Sequence, residues 1–281
     1  AKRLRTILPP LAEEEALELT KIYSIMGLLD SDKGLLKERP FRTPHHSIST
    51  SGLVGGGRIP EPGEISLAHN GTLFLDELAE FRRDVLEMLR QPLEEGEVNI
   101  VRASMSARFP ADFSLVAAMN PCPCGYYGDH HHECTCTGPQ ISRYRSKISG
   151  PLMDRIDIQI EVPSLGVDEL TGENENSESS AEIREEVIRT HQLQLERYKE
   201  EDFNFNSQLN GHKLQEYCPV DNQGIYLLKT AIERLGLSAR AYNRVLRMAR
   251  TIADLEEKEN IDSDHIAEAI QYRTLDRDMD F

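Results

Sequence analysis

The sequence predicts an α/β unit built on a parallel sheet, followed by an all-helical unit. Two apolar runs, TLFL at 72–75 and SLVAAM at 114–119, lack polar alternation, which is typical of central strands covered on both faces. Beyond residue 181 the apolar residues recur with helical spacing. An acidic tract rich in Ser and Asn separates the two parts. We therefore expect domains at 1–163 and 182–281, joined by a flexible linker at 164–181.

The composition limits the kinds of partner. The 281 residues carry a net charge of −16, so the surface as a whole should repel nucleic acid and anionic membranes, and DNA would need a local basic patch. No apolar run approaches the roughly 18 residues of a membrane span, so we expect no membrane partner. Four of the five cysteines lie close together, unlike a disulfide framework, which favours a reducing cytoplasm.

The elements of the first part can be predicted in chain order. AKRLRTILPPL has the spacing of a helix that ends at Pro9-Pro10, and a second helix is predicted over 12–26. A loop-rich stretch at 39–71 precedes the strand at 72–75, and a helix is expected over 79–93.

The rest of the chain continues the pattern. Two strand-like pieces flank a polar tip within 97–113, ahead of the strand at 114–119, and DIQIEV at 157–162 alternates as a strand would. The later helices are predicted at four places: about 181–200, 222–235, 238–257 and 263–272.

Polar residues follow both apolar strands. Asp76 and Glu77 come directly after the first strand, and Asn120 follows the second. In an open parallel sheet, ligands bind at the carboxyl ends of the strands, and two acids with an amide can hold a Mg²⁺–phosphate complex and orient a water. The alternative is that the two acids only cap the helix that follows.

Several longer runs resemble the magnesium-chelatase-like AAA+ ATPases of the ComM/YifB type. LFLDEL is similar to the Walker B segment of AAA+ ATPases, and the whole run from Phe41 to Leu78 resembles the family. So do MNPCPCGYYG, ISGPLMDRIDIQIEVP and LSARAYNRVLRMARTIADLE. The resemblance covers residues 1 to about 272 and implies an AAA+ P-loop NTPase core with a β-hairpin insertion, followed by an all-helical lid domain.

The resemblance also implies residue roles. Asp76 would hold Mg²⁺, Glu77 would activate the attacking water, and Asn120 would be the sensor-1 residue. Arg155 matches the arginine finger that reaches the ATP of a neighbouring subunit, and Arg240 matches the sensor-2 arginine of the lid. A finger acting in trans implies a ring of identical subunits, and the resemblance implies that this ring is a hexamer.

The arginines also have ordinary interpretations. Arg155 stands between Asp154 and Asp157 and could form only a surface ion pair. A second group of arginines recurs at helical spacing and could be a solvated helix face: Arg240, Arg244, Arg247 and Arg250.

One family motif is missing from these residues. No G-x-x-x-x-G-K-[ST] P-loop is present, and the glycine-rich run GLVGGGR lacks the GK[ST]. In the family the P-loop immediately precedes the segment that matches AKRLRTILPPL. We therefore expect a fragment that lacks the P-loop and the family's N-terminal Lon-protease-like domain, and that binds and hydrolyses ATP poorly by itself.

The clustered cysteines suggest a metal site. Cys122, Cys124, Cys134 and Cys136 form two C-x-C pairs separated by nine residues, and four thiolates are the ligand set of a structural Zn²⁺. His130, His131 and His132 lie between the pairs and could replace a ligand. The alternative is a loop of partly buried free thiols, and Cys218 is assigned to packing.

The segment 97–115 resembles the pore hairpin that precedes sensor 1 in the magnesium-chelatase and helicase branch of AAA+ proteins. It offers Arg102 and Arg108 for DNA backbone contact, with Phe109 as the nearby aromatic. The alternative is a sheet edge with ordinary surface charges. The leading hypothesis is thus an ATP-driven ring that remodels DNA by branch migration. The alternatives are a motor for protein remodelling or metal insertion, and a zinc-braced scaffold without hydrolysis.

Overall fold

The computed structural model describes residues 1–29, 34–101, 105–129, 131–162, 178–235 and 238–273. Two compact units divide the chain, one at Ala1–Arg155 and one that begins at Ile156. Most of the linker predicted at 164–181 lies outside the described residues, and so do Arg102 and His130. At the far end of that segment, Ser180 already begins a helix.

The first unit contains a parallel sheet, as predicted. Its strands, in chain order, are β1 (Phe41–Arg42), β2 (Gly55–Gly56), β3 (Glu61–Pro62), β4 (Thr72–Leu75), β5 (Glu97–Val101), β6 (Ser106–Pro110) and β7 (Ser114–Ala117). The sheet has the order β1-β4-β7, with both pairings parallel. Leu73 and Leu75 of β4 are fully buried, which is why this central strand is apolar throughout.

Short helices flank the sheet: α1 (Leu4–Ile7), α2 (Glu13–Ile25), α3 (Thr50–Val54), α4 (Glu64–Leu67), α5 (Arg83–Glu87), α6 (Arg90–Glu95), α7 (Gly138–Arg145) and α8 (Gly150–Met153). Buried side chains of α3, α4, α5 and α8, among them Ile65 and Leu86, join Leu73, Leu75 and Phe81 in one core. This core fixes the position of the carboxyl end of β4.

The helix predicted over 79–93 is broken into three pieces. A 3₁₀ turn at Leu78–Glu80 is followed by α5 and α6, with extended backbone at Phe81 and Arg82 between the first two. Pro92 lies in the first turn of α6, where the missing N–H costs little. The apolar spacing was therefore correct, but it did not indicate where the backbone turns.

The two strand-like pieces before β7 form an antiparallel hairpin, as predicted. β5 pairs with β6 in a register that places Val98 opposite Phe109 and Val101 opposite Ser106. Val98 and Ile100 are buried, whereas Val101 is 72% exposed near the tip. One face of the hairpin thus packs on the core, and Val101, the last residue of β5, is exposed.

The second unit is helical: α9 (Ser180–Arg197), α10 (Gly211–Tyr217), α11 (Asn222–Leu235), α12 (Ala239–Leu255) and α13 (Ser263–Gln271). Four of these helices match the predicted ranges, and α10 was not predicted. A single parallel bridge joins Val220 to Ile261. Within the described residues, no helix combines the length and apolar character that a membrane crossing requires.

The strand predicted for DIQIEV at 157–162 is wrong. The structure has no strand there, and the alternation is inverted, because Ile158 and Ile160 are exposed while Gln159 is 8% exposed. The segment makes one backbone hydrogen bond to the end of α13, from Gln159 N–H to the Tyr272 carbonyl, instead of a strand ladder. Alternation alone cannot specify a strand when no neighbouring strand pairs with it.

Candidate functional site

The predicted Walker B acids lie at the carboxyl edge of the parallel sheet. Leu75 at the end of β4 is in register with Ala117 at the end of β7, so both strands leave the sheet at the same level. Ala118 then donates its N–H to the Leu75 carbonyl at 3.0 Å and accepts from the Leu78 N–H at 2.9 Å. These two bonds enclose Asp76 and Glu77 and hold them against the segment that carries Asn120.

The backbone of Glu77 adopts an uncommon conformation. Its φ of 53° and ψ of 50° lie in the left-handed region, which costs a non-glycine residue about 1–3 kcal/mol and persists only where the surroundings impose it. The Glu77 N–H donates to Asp76 Oδ1 at 3.1 Å. Neither acid makes a side-chain cap to the 3₁₀ turn that follows. The capping interpretation is therefore not what the structure shows, and both carboxylates remain exposed.

His46 reaches the same edge from the third strand of the sheet. It follows β1, the other parallel neighbour of β4, and its Nδ1 lies 3.2 Å from Glu77 Oε2. The ring of His46 also stands edge-on to the ring of Phe81, with centroids 6.3 Å apart. His46 lies in the stretch before β4 that the sequence predicted only as loop-rich. The sequence did not predict β1, because Phe41–Arg42 is only two residues long, and so it did not place His46 beside the end of β4.

Arg155, the predicted finger, follows α8 and is turned towards its own unit. It pairs with Glu94 of α6 and donates from Nη1 to the Pro151 carbonyl at 2.7 Å. Only 11% of its side chain is exposed, and its Nε is buried and has no hydrogen-bond partner among the described residues. Its role towards a neighbouring subunit stays a prediction.

The arginines of α12 do not form one solvated face. Arg240, the predicted sensor-2 residue, is exposed in the first turn, whereas Arg250 is only 2% exposed. Arg250 donates to the carbonyls of Lys258 and Glu259 at 2.6 and 2.7 Å and to the buried Asp254 at 3.1 Å. Arg250 therefore stabilises the second unit, as does Arg247, whose Nε donates to the Leu209 carbonyl at 2.6 Å, and the sensor-2 role of Arg240 stays a prediction.

The hairpin leaves fewer groups for DNA than the sequence suggested. The side chain of Arg108 is 71% exposed, although its Nε lies 3.2 Å from Glu97 Oε1, and Arg102 lies outside the described residues. Phe109 is 8% exposed and belongs to the core, so it is not available to stack on a base. Arg42 lies in β1, outside the hairpin, and its guanidinium donates to both carboxylate oxygens of Glu64, at 2.6 and 2.7 Å.

The cysteine pairs meet directly after Asn120. All four sulfurs of Cys122, Cys124, Cys134 and Cys136 lie within 4.8 Å of one another, and the cysteines are free. Cys122 Sγ is 3.3 Å from Cys124 Sγ and 3.7 Å from Cys134 Sγ. A backbone hydrogen bond from Tyr126 lowers the pKa of the Cys124 thiol to about 5. The arrangement is that of a cluster that could bind a metal.

The cluster is linked to the acidic edge of the sheet through α7. Arg145, at the end of α7, donates from Nε to the Pro121 carbonyl at 3.1 Å and lies over the ring of Tyr127, 5.0 Å from its centroid. Burial raises the pKa of Tyr144 on the same helix, and nearby Glu80, Cys122 and Glu77 raise it further. The four-cysteine segment is thus packed against the helix that borders the candidate site.

Comparison with known proteins covers nearly the whole chain. The family model for magnesium chelatase, subunit ChlI, matches residues 1–170, and the model for the C-terminal part of that subunit matches residues 177–273. The chain is 46% identical over 280 residues to competence protein ComM of Haemophilus influenzae, with 99% of the chain and 53% of that protein covered. It is 45% identical over 277 residues to the uncharacterized protein YifB of Salmonella typhimurium, with the same coverage.

A more distant similarity joins the chain to a replication protein. It is 25% identical over 211 residues to the DNA replication licensing factor mcm6 of Dictyostelium discoideum, covering 70% of the chain and 21% of that protein. The chain spans about half the length of ComM and YifB.

Proposed function

The chain belongs to the magnesium-chelatase ChlI family, in its ComM/YifB type, and from this membership we propose that it is part of an AAA+ ring ATPase that remodels DNA. The relative named a competence protein directs the proposal to DNA taken up or recombined by the cell. The cytoplasm is the proposed compartment, since the free cysteines would stay reduced there.

One observation carries the ATPase proposal. Two exposed carboxylates, Asp76 and Glu77, end a buried strand and are held by Ala118 beside the segment that carries Asn120. Carboxylate oxygens are the ligands that Mg²⁺ prefers, and the bound ion would neutralise charge on the phosphates. Asp76 would hold Mg²⁺, Glu77 would accept the proton of the attacking water, and Asn120 would orient that water.

The phosphate cradle of such a site is not among these 281 residues, which contain no P-loop motif. ATP binding and turnover are therefore proposed for the full-length protein, meaning the whole polypeptide to which this chain belongs. By itself the chain is proposed to bind ATP weakly and to hydrolyse almost none.

A hexameric ring follows from the proposed role of Arg155. Its guanidinium would neutralise charge on the γ-phosphate held by the neighbouring subunit, and it would exchange Glu94 for that phosphate when the ring assembles. Arg240, exposed on α12, would contact the same nucleotide from the lid. Assembly would thus complete each active site.

DNA is proposed as the cargo for two reasons. The hairpin of β5 and β6 extends from the core and presents Arg108, with Arg102 at its tip in sequence, and similarity extends to a replication licensing factor. Because the chain is acidic overall, contact would be confined to such a local site and would weaken as salt rises. Metal insertion or protein remodelling would instead leave ATP turnover indifferent to DNA.

The test is the ATPase rate of the full-length protein with and without branched DNA at low salt. We expect turnover that DNA stimulates, and Glu77→Gln should reduce it by about 100-fold or more while Mg·ATP still binds. Glu77→Gln without effect would reject the assignment of the base. An ATPase rate that DNA does not change would reject DNA as the cargo but would be consistent with the proposed ATPase. Absent turnover with intact ATP binding would favour a scaffold.

A further inference from the structure

We propose that Cys122, Cys124, Cys134 and Cys136 bind one Zn²⁺ as a closed, structural tetrathiolate site. The proposal rests on the geometry of the sulfurs and of the chain around them, and it is independent of ATP hydrolysis. All four sulfurs converge within 4.8 Å, although nine residues separate the two pairs. Convergence of that kind brings four soft ligands to one point.

The sulfur separations fit a shared ion better than disulfides. Cys124 Sγ lies 3.3 Å from Cys122 Sγ and 3.6 Å from Cys134 Sγ, and Cys122 Sγ lies 3.7 Å from Cys134 Sγ. A disulfide requires about 2.05 Å. Four sulfurs at about 2.3 Å from a Zn²⁺ in a tetrahedron are ~3.8 Å apart. These three separations are 0.1–0.5 Å shorter than ~3.8 Å and all the sulfurs lie within 4.8 Å, so small shifts of the sulfurs are sufficient to surround an ion.

A tight turn explains how a one-residue gap can supply two ligands. The Gly125 N–H donates to the Cys122 carbonyl at 3.1 Å, which closes a turn with Pro123 in its second position, where the fixed φ of proline is favoured. Gly125 itself has a φ of 86°, a left-handed conformation that glycine adopts readily.

Among the residues that the structure describes, the ligand set is cysteine only. His131 and His132 are outside the converging group, and the ring of His132 stacks on Tyr126 with centroids 4.8 Å apart. Four protein ligands leave no open position for a substrate, which is typical of a structural rather than a catalytic zinc site. Cys122, which is fully buried, anchors the site to the unit.

The position of the ion gives it a defined effect. The cluster lies between Asn120 and α7, and Arg145 of α7 donates to the carbonyl of Pro121, which joins Asn120 to Cys122. Bound Zn²⁺ would fix the segment that begins at Cys122, and so the strand exit that carries Asn120. Loss of the ion should loosen the first unit without affecting the helical second unit.

The experiment measures zinc in the purified 281-residue chain by elemental analysis, before and after anaerobic incubation with Zn²⁺ and removal of excess metal. We expect about one Zn²⁺ per chain, lost in Cys124→Ser and retained in Cys218→Ser, whose thiol lies buried in the second unit. Co²⁺ in place of Zn²⁺ should give the absorption bands of a tetrahedral tetrathiolate. If Cys124→Ser does not fold, the Co²⁺ spectrum of the unaltered chain still decides.

Four outcomes would overturn the proposal. The first is an incubated chain that holds no metal while its thiols remain reduced. The second is an intact mass showing two disulfides after handling without oxidant. The third is iron and sulfide in place of zinc. The fourth is a zinc content that Cys124→Ser leaves unchanged.

Discussion

The Nδ1 atom of His46 lies 3.2 Å from the Oε2 atom of Glu77. His46 and Glu77 follow neighbouring parallel strands, β1 and β4. The side chain of Glu77 is 56% exposed. In its proposed role as the base, Glu77 is exposed and has a left-handed backbone, so it needs a partner to fix the direction of its carboxylate. His46 provides that partner within the first unit.

Replacing His46 should therefore impair hydrolysis and leave ATP binding intact. His46→Ala in the full-length protein is expected to lower kcat, by at most about 100-fold, with little change in KM, because a misdirected base costs rate rather than affinity. His45→Ala is the matched control, since His45 bonds to Ser47 Oγ at 2.8 Å and not to Glu77. Equal losses in both variants would mean that the histidine pair supports only the loop.

The ion pair of Arg155 with Glu94 predicts two separable effects of Arg155→Ala. The first unit should lose at most about 1 kcal/mol of unfolding free energy, because the Glu94 side chain is 55% exposed and water can replace its lost charged donor. In the full-length protein, ATP turnover should also fall. Rings mixed from Arg155→Ala and Glu77→Gln subunits should recover part of it, since some interfaces then combine both intact residues. No recovery in rings shown to be mixed would contradict a finger that acts in trans.

The sequence predicted the apolar strands and the residues that follow them, because burial on both faces leaves an unambiguous pattern. It did not predict the pairing of His46 with Glu77, which depends on a two-residue strand, β1, too short to show any period. Nor did it predict the broken helix after β4, because the apolar spacing continues across the extended backbone of Phe81 and Arg82.

The arginines of α12 show a second feature that the sequence pattern could not predict, namely which charged side chains are buried. Their spacing in the sequence is the same whether they face solvent or the interior. Only contacts made in the folded unit distinguish the exposed Arg240 from the buried Arg250. Arg250 is buried because Asp254 and the carbonyls of Lys258 and Glu259 converge on it. Charge at regular spacing is therefore not by itself a surface signal.

Gly71 should not tolerate a side chain. A Cβ there would lie 2.2 Å from the Pro40 carbonyl oxygen, the same oxygen that accepts from the Thr72 N–H at 2.8 Å beside β1 and β4. Gly71→Ala is expected to destabilise the first unit by about 1–3 kcal/mol or more, measured by urea denaturation. Gly138→Ala is the control, because nothing lies within 4 Å of its added Cβ. Equal stability of the two variants would show that Pro40 can move aside.

Glu201 gives the second unit a predicted pH dependence. Lys213 donates to its carboxylate at 2.6 Å and Tyr217 at 2.7 Å, and these bonds, led by that of Lys213, lower the pKa of Glu201 below its ordinary value of 4.5. Near and below that value, the unfolded chain binds a proton that the folded chain does not. The stabilisation that the Glu201 carboxylate gives to the folded second unit is therefore present above pH 4.5. It is lost as the pH falls through the lowered pKa of the folded chain.

Glu201→Gln should consequently lower the urea midpoint of the second unit near neutral pH and lose this effect in acid. Circular dichroism at a series of pH values measures both midpoints. Glu216→Gln is the control, since Glu216 is 3.3 Å from the same Lys213 but is 45% exposed, and it should change little. A Glu201→Gln deficit that persists unchanged at low pH would contradict the sign.

Asp254 should be the most sensitive acid in the second unit. Its side chain is fully buried, and its oxygens accept from Arg250 at 3.1 Å, Asn206 at 2.8 Å and Arg197 at 2.8 Å. Asp254→Ala would leave two arginines without their shared carboxylate, one of them almost fully buried, and should cost about 3–5 kcal/mol. Asp254→Asn keeps the shape but not the charge, and should cost less.

Glu196→Ala, which breaks an exposed pair with Lys199, is expected to cost at most about 1 kcal/mol. Urea denaturation followed by circular dichroism compares the three, and an Asp254→Ala loss no larger than that of Glu196→Ala would show that the arginines find other partners.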